Sequence, residues 1–419
     1  MRHAFLIISL IGAYALQAQG LKAGPMLGLL TDSSASVWAW SNPGSQAQLV
    51  LDEKTVEAKA DKEGFLRFDL HALLPDHTYS YQIRQQGVAL TDLHTFRTFP
   101  RKQVFEFDMA LGSCAYIMDS TVADFEPAGV PFGAHYEIFD TIANRKPDVM
   151  FWLGDNVYLR DGEWNSRERT LYRYQHARQH PSYAHLLATG SHLAIWDDHD
   201  YGPNDSDLLW EGKDMTRDVF LKQWLNPRPA SDSGIQTHWK ISDVEIFLLD
   251  DRSFRPRYGD GSMFGPEQQS WLLQKLKNST ATFKIVATGS QLLSTQKLGE
   301  AYWERREMAL KTFLDSLSSL KIPGILFVSG DVHVTEISRH DLEGLYPLYD
   351  FTFSPLTSLP NPVPVKNYRR VRKSYRRKRN FGWMAFRGTG DERRMVVGAY
   401  NRKGKTLWEH VIYAKALGW

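Results

Sequence analysis

Between residues 20 and 100, apolar and polar positions alternate in short runs separated by turn residues. Val37-Trp38-Ala39-Trp40, Gln48-Leu49-Val50-Leu51, Phe65-Leu66-Arg67-Phe68 and Thr78-Tyr79-Ser80-Tyr81 read as short strands, and Thr95-Phe96-Arg97-Thr98 closes the series. Asn42-Pro43-Gly44 and Asp61-Lys62-Glu63-Gly64 supply turn chemistry between them. From residue 101 the pattern changes to continuous apolar runs at 149–153, 192–196, 245–249, 284–287 and 324–328. Stretches with helical spacing separate some of them, at 268–276 and 305–317, and another covers 133–144 with Tyr136, Ile138, Phe139 and Ile142 on one face. Buried runs alternating with helices predict α/β layers around sheet that is covered on both sides. There is no internal repeat and no long low-complexity region.

This pattern divides the chain into three parts. Residues 1–19 have the form of a secretory signal peptide: Arg2 and His3, an apolar run over residues 4–16, then Gln17-Ala18-Gln19 as a cleavage region. The run is shorter than the ~20 residues that span a bilayer, so the expectation is export to the periplasm or outside the cell without a transmembrane anchor. Residues 20–100 resemble a fibronectin type III or immunoglobulin-like sandwich, in which a tyrosine near a strand start pins a corner. That unit carries no catalytic constellation and reads as a packing or shielding module. Residues 101–419 form the expected catalytic domain.

Composition refines the picture in two ways. Lysine plus arginine number 50 against 48 acidic residues, a formal charge of +2, which argues against a dedicated nucleic-acid binder but not against a small anionic substrate. Cys114 is the single cysteine, so no internal disulfide exists. A lone thiol in an exported protein must be shielded by burial or by a metal.

The chemistry lies at the strand ends. Gly112-Ser113-Cys114 follows the first strand of the second part, Gly154-Asp155-Asn156-Val157-Tyr158 the next, Trp196-Asp197-Asp198-His199-Asp200 a third, and Ser329-Gly330-Asp331-Val332-His333 the last. Sites in open α/β folds form outside the carboxyl ends of strands. Four such ends can therefore gather Cys114, Asp155, Tyr158, Asp198, His199, Asp331 and His333 in one cleft. A carboxylate such as Asp155 can bridge two cations. Thiolate, phenolate and imidazole donors suit a transition metal, and carboxylates suit a hard cation, so the expected site is asymmetric.

These blocks resemble the calcineurin-like metallophosphoesterase superfamily, in variants similar to those of the PhoD-type alkaline phosphatase/phosphodiesterase family. Residues 249–255, Leu-Asp-Asp-Arg-Ser-Phe-Arg, and Asn380-Phe381-Gly382 are similar as well. The resemblance implies a metallophosphoesterase sandwich of two β-sheets flanked by helices behind the all-β N-terminal unit. It implies Fe3+ held by Cys114, Asp155, Tyr158 and His333, and Ca2+ held by the shared Asp155 with Asp198 and Asp331. Zn2+, Mn2+ or Mg2+ are the alternative metals. His199 is implied to polarise the phosphate or protonate the leaving oxygen, and Arg252 to clamp a phosphate oxygen. Gln291 stands where the superfamily has a further metal-binding histidine.

The implied activity is hydrolysis of phosphate mono- or diesters by a metal-activated water. Alternatives are a phosphodiesterase or phospholipase-type enzyme acting on lipid or polymer phosphodiesters, a zinc or manganese hydrolase with Cys114 in its core, and a catalytically silent envelope binding protein. The basic run at residues 369–379 could attract anionic polymers, but reads more simply as a solvated loop or helix face. The aromatic-rich segments 164–183 and 210–224 could cover the site as a lid or belong to the core.

Overall fold

The computed structural model describes residues 20–52, 54–120, 129–257, 259, 261–297, 301–302 and 306–419, so the signal-peptide segment lies outside the described residues. Two six-stranded sheets carry the second part of the chain. The first runs in the order Ser191–Ile195, Val149–Leu153, Phe107–Gly112, Asn380–Arg387, Arg394–Asn401, Thr406–Tyr413, and its first three strands are parallel. The second runs Thr237–Ile241, Val244–Leu248, Phe283–Ala287, Ile325–Ser329, Leu348–Phe353, Thr335–His340. The runs of complete burial at 149–153, 244–248, 283–287 and 325–329 explain why these strands lack alternation: both faces are covered.

The two sheets meet through aromatic contacts. Phe353 lies flat against Trp408 with ring centroids 5.8 Å apart, and Phe283 packs on Phe386 at 5.4 Å. Helices Gly265–Asn278 and Glu307–Leu320 cover the outer face of the second sheet with Leu272, Leu276, Leu310, Phe313 and Leu317, which share a core with Phe247, Val286 and Phe327. Both helices follow the expected spacing closely. The helix expected over 133–144 starts only at Glu137, because Gly133 bridges Ser358 and His135 adopts a left-handed backbone, φ +67°.

The N-terminal residues form strands only, in a three-stranded sheet (Ala23–Leu30, Ala35–Trp40, Phe65–Leu70) and a five-stranded one. The Tyr79 hydroxyl accepts a hydrogen bond from the Leu74 amide at 2.7 Å, the corner anticipated from sequence. This unit packs directly on the rest of the chain: Ser191 Oγ donates to Gly28 O at 2.6 Å, Trp38 Nε1 donates to Lys222 O at 2.8 Å, and the buried Arg178 guanidinium lies over Trp38 and Trp224. The aromatic segments considered as a lid are therefore wall: Tyr174, Tyr183 and Trp224 are buried, and the helices Arg167–Gln179 and Lys213–Gln223 pack against each other, the first of them also against strand Ala23–Leu30.

The basic run is a loop, not a helix face, with Arg372, Lys373, Arg377 and Lys378 exposed and other members tied to the fold. Backbone bridges Thr335 to Arg376 and Ser338 to Arg370 lay it along Thr335–His340, the edge strand of the second sheet. Arg370 pairs with buried Glu336 at 2.5 Å, and Arg379 donates to Thr357 O at 2.7 Å. The run thus shields an edge that would otherwise expose unpaired backbone. Among the described residues no helix is long and apolar enough to cross a membrane.

One buried group gives the fold a pH dependence away from the site. Trp152 Nε1 donates to His192 Nδ1 at 3.0 Å, which fixes the ring neutral with Nε2 donating to Leu186 O at 3.0 Å. Burial pushes His192 down to about 3. The unfolded chain therefore takes up a proton that the fold refuses. The stability is fully present above pH ~6.5 and is lost as pH falls toward 3. The His192→Gln variant keeps both hydrogen bonds without titrating, so urea midpoints followed from pH 7 to 4 should fall less steeply than in the wild type. An unchanged slope would remove this assignment.

Candidate metal centre

The four polar strand ends converge. Phe107–Gly112 delivers Cys114, Val149–Leu153 delivers Asp155 and Tyr158, Ser191–Ile195 delivers Asp197, Asp198 and His199, and Ile325–Ser329, from the opposing sheet, delivers Asp331 and His333. Close approach requires glycine at the crossings. A Cβ on Gly154 (φ +91°) would sit 2.6 Å from the Asp197 Cβ, and one on Gly330 would meet Ser113 at the same distance. The ligand-type residues themselves carry unusual backbone. Cys114 (φ +61°), Asp155 (φ +51°), Asp331 (φ +66°) and His333 (φ +55°) all lie in the left-handed region. Sparsely populated conformations of this kind cost on the order of 1 kcal/mol or more each and cluster where side chains must be aimed.

Three groups of potential ligand atoms lie within 4.8 Å of one another: Cys114, Asp155 and His333; Asp155, Asp198 and His199; and Asp197, Asp198 and Asp331. Asp155 belongs to the first two, the position of a bridge. Its Oδ2 is 3.5 Å from the Cys114 Sγ, and its Oδ1 accepts from the His199 amide at 3.3 Å. Tyr158 OH is 3.1 Å from His333 Nε2, and its ring lies 4.3 Å from that of His199. Ser354 Oγ lies 3.2 Å from Cys114 Sγ and accepts from the His333 amide at 3.0 Å, tying the two ligands together.

Without a cation this arrangement is electrostatically costly. Burial, then the neighbouring Asp198 and Asp200, push Asp155 well above the ordinary carboxylate range. Burial raises Asp331, aided by Asp198, and it also raises Asp197 despite the Arg252 guanidinium. Burial, Asp155 and Asp331 together push the Cys114 thiol up. For Asp198 the upward push of burial is outweighed by Arg252 and His199, which hold it below the usual range. Burial brings His333 down to about 4, so the imidazole is neutral and available as a ligand. Asp197 Oδ2, Asp198 Oδ1 and Asp331 Oδ2 are buried and have no hydrogen-bond partner among the described residues. Buried carboxylate oxygens in that condition suit a cation, and the donor set fits one softer and one harder metal.

Every expected ligand is thus in the cluster. Arg252 is placed differently from the expectation. It is fully buried, bonded to Asp197 Oδ1 at 2.5 Å and 3.7 Å from Asp198 Oδ1, and it does not line the cleft. Its charge is held against the carboxylates instead of facing a substrate. Removing one partner of a buried pair costs roughly 3–5 kcal/mol. Arg252→Met should therefore lower the melting temperature by several degrees, read by calorimetry alongside KM. A raised KM at unchanged stability would restore the phosphate-clamp role. Gln291, whose ligation the sequence left open, donates its Nε2 to Glu336 at 3.0 Å and Thr352 at 2.7 Å, while its buried Oε1 has no hydrogen-bond partner among the described residues.

Two residues of the site were not singled out from the sequence. Asp197 caps the short helix Asp198–Tyr201 and joins the third cluster; the Asp-Asp doublet was its only signal. Asp200 accepts from the amides of Asp197, Asn156 and Val157, all at 3.1 to 3.3 Å, and so locks the Asp155 loop to the Asp198 turn. Burial pushes its carboxyl up to about 7 against those bonds.

Comparison with known proteins agrees with this geometry. The family model described as PhoD-like phosphatase matches residues 227–393, which include Asp331 and His333 but not the ligands from the first sheet. Alkaline phosphatase D of Bacillus subtilis (strain 168) is 21% identical over 352 residues, covering 69% of this chain. The chain spans 57% of the length of that curated relative. A solved structure of PhoD superposes with a TM-score of 0.68 at 16% identity, covering 95% of this chain and 92% of that one. Purple acid phosphatase PPD1 from yellow lupin (Lupinus luteus) gives 0.67 at 11% identity, covering 93% and 74%. At such identities the superpositions establish the fold, a metallophosphoesterase-like α/β architecture of several sheets.

Proposed function

We propose that this chain, a PhoD-type phosphatase, is a metal-dependent phosphoric ester hydrolase that works in the cleft above Asp155. The observation that carries the reading is the set of buried carboxylate oxygens on Asp197, Asp198 and Asp331 that lack hydrogen-bond partners among the described residues, beside a bridging Asp155. Cys114, Tyr158 and His333 would hold the softer metal, in this reading Fe3+, together with Asp155. Asp198 and Asp331, with Asp155, would hold the harder one, in this reading Ca2+. Cations there supply Lewis-acid stabilisation and an activated water.

The chain's own residues do the rest. His199 is half-buried, lines the cleft, and has its backbone fixed on Asp155, so its ring can donate to the leaving oxygen. Water adds its oxygen to phosphorus, the bond from phosphorus to the alcohol oxygen breaks, and that oxygen takes the proton from His199. The proton released by the attacking water passes to solvent, from which His199 is reprotonated. Asp200 and Ser354 keep the ligand loops in place. The N-terminal strands are read as a fibronectin III-like accessory unit ending near residue 100, and residues 1–19 as an export signal.

The test pairs p-nitrophenyl phosphate with bis-p-nitrophenyl phosphate on the mature protein, with bound metals quantified in the same sample. Turnover that requires bound metal is the expected result, and the ester preference separates phosphatase from phosphodiesterase. Full metal occupancy with neither ester cleaved would favour a silent binding protein. Cys114→Ser should lose iron and most activity. Unchanged iron and turnover would make the thiol a core residue.

A further inference from the structure

We propose that the cleft selects phosphate esters whose leaving alcohol is apolar and uncharged. The inference rests on the hydrolase reading above and adds a substrate class to it. A cavity of about 570 Å³ opens over Asp155, Asp198 and His333. Its remaining walls are largely apolar: Phe132, Leu159, Val332, Leu359, Pro360 and Pro362. Val130 and Val363, close in the chain to Phe132 and Pro362, are 40% and 62% exposed. The cavity is therefore polar where a phosphoryl group would sit and apolar where the rest of the ester would lie.

Several polar groups of the rim are already engaged within the protein. Ser358 Oγ donates to Cys114 O at 3.0 Å, Asn361 Oδ1 accepts from the Val363 amide at 3.0 Å, and Asn204 Nδ2 donates to Asp205 at 3.1 Å. Arg160 is the one guanidinium in the lining. It donates to Ile117 O at 3.1 Å and to Tyr158 O, and lies over the Tyr116 ring at 4.5 Å. No lysine lines the cavity among the described residues. A second phosphate, a carboxylate or a sugar on the alcohol would lose water against these apolar walls and gain few partners, chiefly at the outer edge where exposed Arg377 bonds to the Pro362 carbonyl, a penalty that sites can enforce. An alkyl or aryl group would instead bury its surface against the rim.

The experiment measures phosphate or phosphomonoester release from methyl, butyl and octyl phosphates, and from the matching dialkyl phosphates, by the metal-loaded full chain. AMP and glucose 6-phosphate serve as polar comparisons. Burial of methylenes predicts a rise in kcat/KM of roughly three-fold per added CH2 until the rim is filled. In Phe132→Ser and Pro362→Ser the octyl-to-methyl ratio should fall about ten-fold. A flat series in the wild type, or AMP cleaved as well as the octyl ester, would overturn the proposal while leaving the hydrolase reading intact. Cleavage of no ester at all would sink both. Extending the series through the critical micelle concentration separates the sources of such an alcohol: a jump in rate at that point marks a lipid surface, and a smooth curve marks a dissolved ester.

Discussion

Asp155→Asn is expected to reduce turnover by on the order of 10³-fold or more while leaving a folded protein, because a residue shared by two metal sites acts in both at once. The amide is nearly isosteric, so the hydrogen bond from the His199 amide can persist on its oxygen. What is lost is the negative charge that Cys114, His333, Asp198 and His199 surround. In the metal-free chain that charge is unfavourable, since burial and the neighbouring carboxylates already drive Asp155 toward its neutral form. The variant should therefore show reduced metal content together with a metal-free melting temperature equal to or above that of the wild type. Activity within ten-fold of wild type would remove Asp155 from the bridging position.

The second large effect is on stability. Stripping metals with a chelator should abolish turnover and lower the melting temperature, since a ligand at ~1,000 times its Kd contributes about 4 kcal/mol to the folded state. The loss should grow with pH. Asp155, Asp197 and Asp331 have folded-state pKa values raised above 3.8, chiefly by burial. A raised acid retains its proton in the fold while the unfolded chain releases it. Metal-free stability is accordingly greatest below that value and falls as pH rises through the folded pKa values. Calorimetry of chelated and metal-loaded samples at pH 5 and pH 8 should show the larger gap at pH 8. Equal gaps would mean that the carboxylates are not what the cations relieve.

How much of this was readable in advance follows from the physics of each feature. Buried strands such as Val149–Leu153 and Ile325–Ser329 announce themselves as apolar runs, and the residues that end them follow by chain order, so most of the clustered residues were legible, Asp197 excepted. The order of the sheets was not, because Phe107–Gly112 pairs with Asn380–Arg387 across more than half the chain. Nor was the left-handed backbone at Cys114, Asp155, Asp331 and His333, which no side-chain pattern encodes. Arg252 shows the limit for roles: an arginine after a strand suits a phosphate or a buried aspartate equally, and only packing reveals that Asp197 holds it. The basic run is only partly legible in the same way, since its charge density hides that Arg370 bonds to Glu336 on a sheet edge and Arg379 to the Thr357 loop.

The most direct measurement is anomalous diffraction from crystals of the metal-loaded protein, collected at the iron edge and at a wavelength where calcium scatters. Two peaks flanking the Asp155 carboxylate are expected, the iron peak on the Cys114 and His333 side and the calcium peak on the Asp198 and Asp331 side. Peaks elsewhere in the molecule, or full activity from protein with nothing bound at Asp155, would contradict the account.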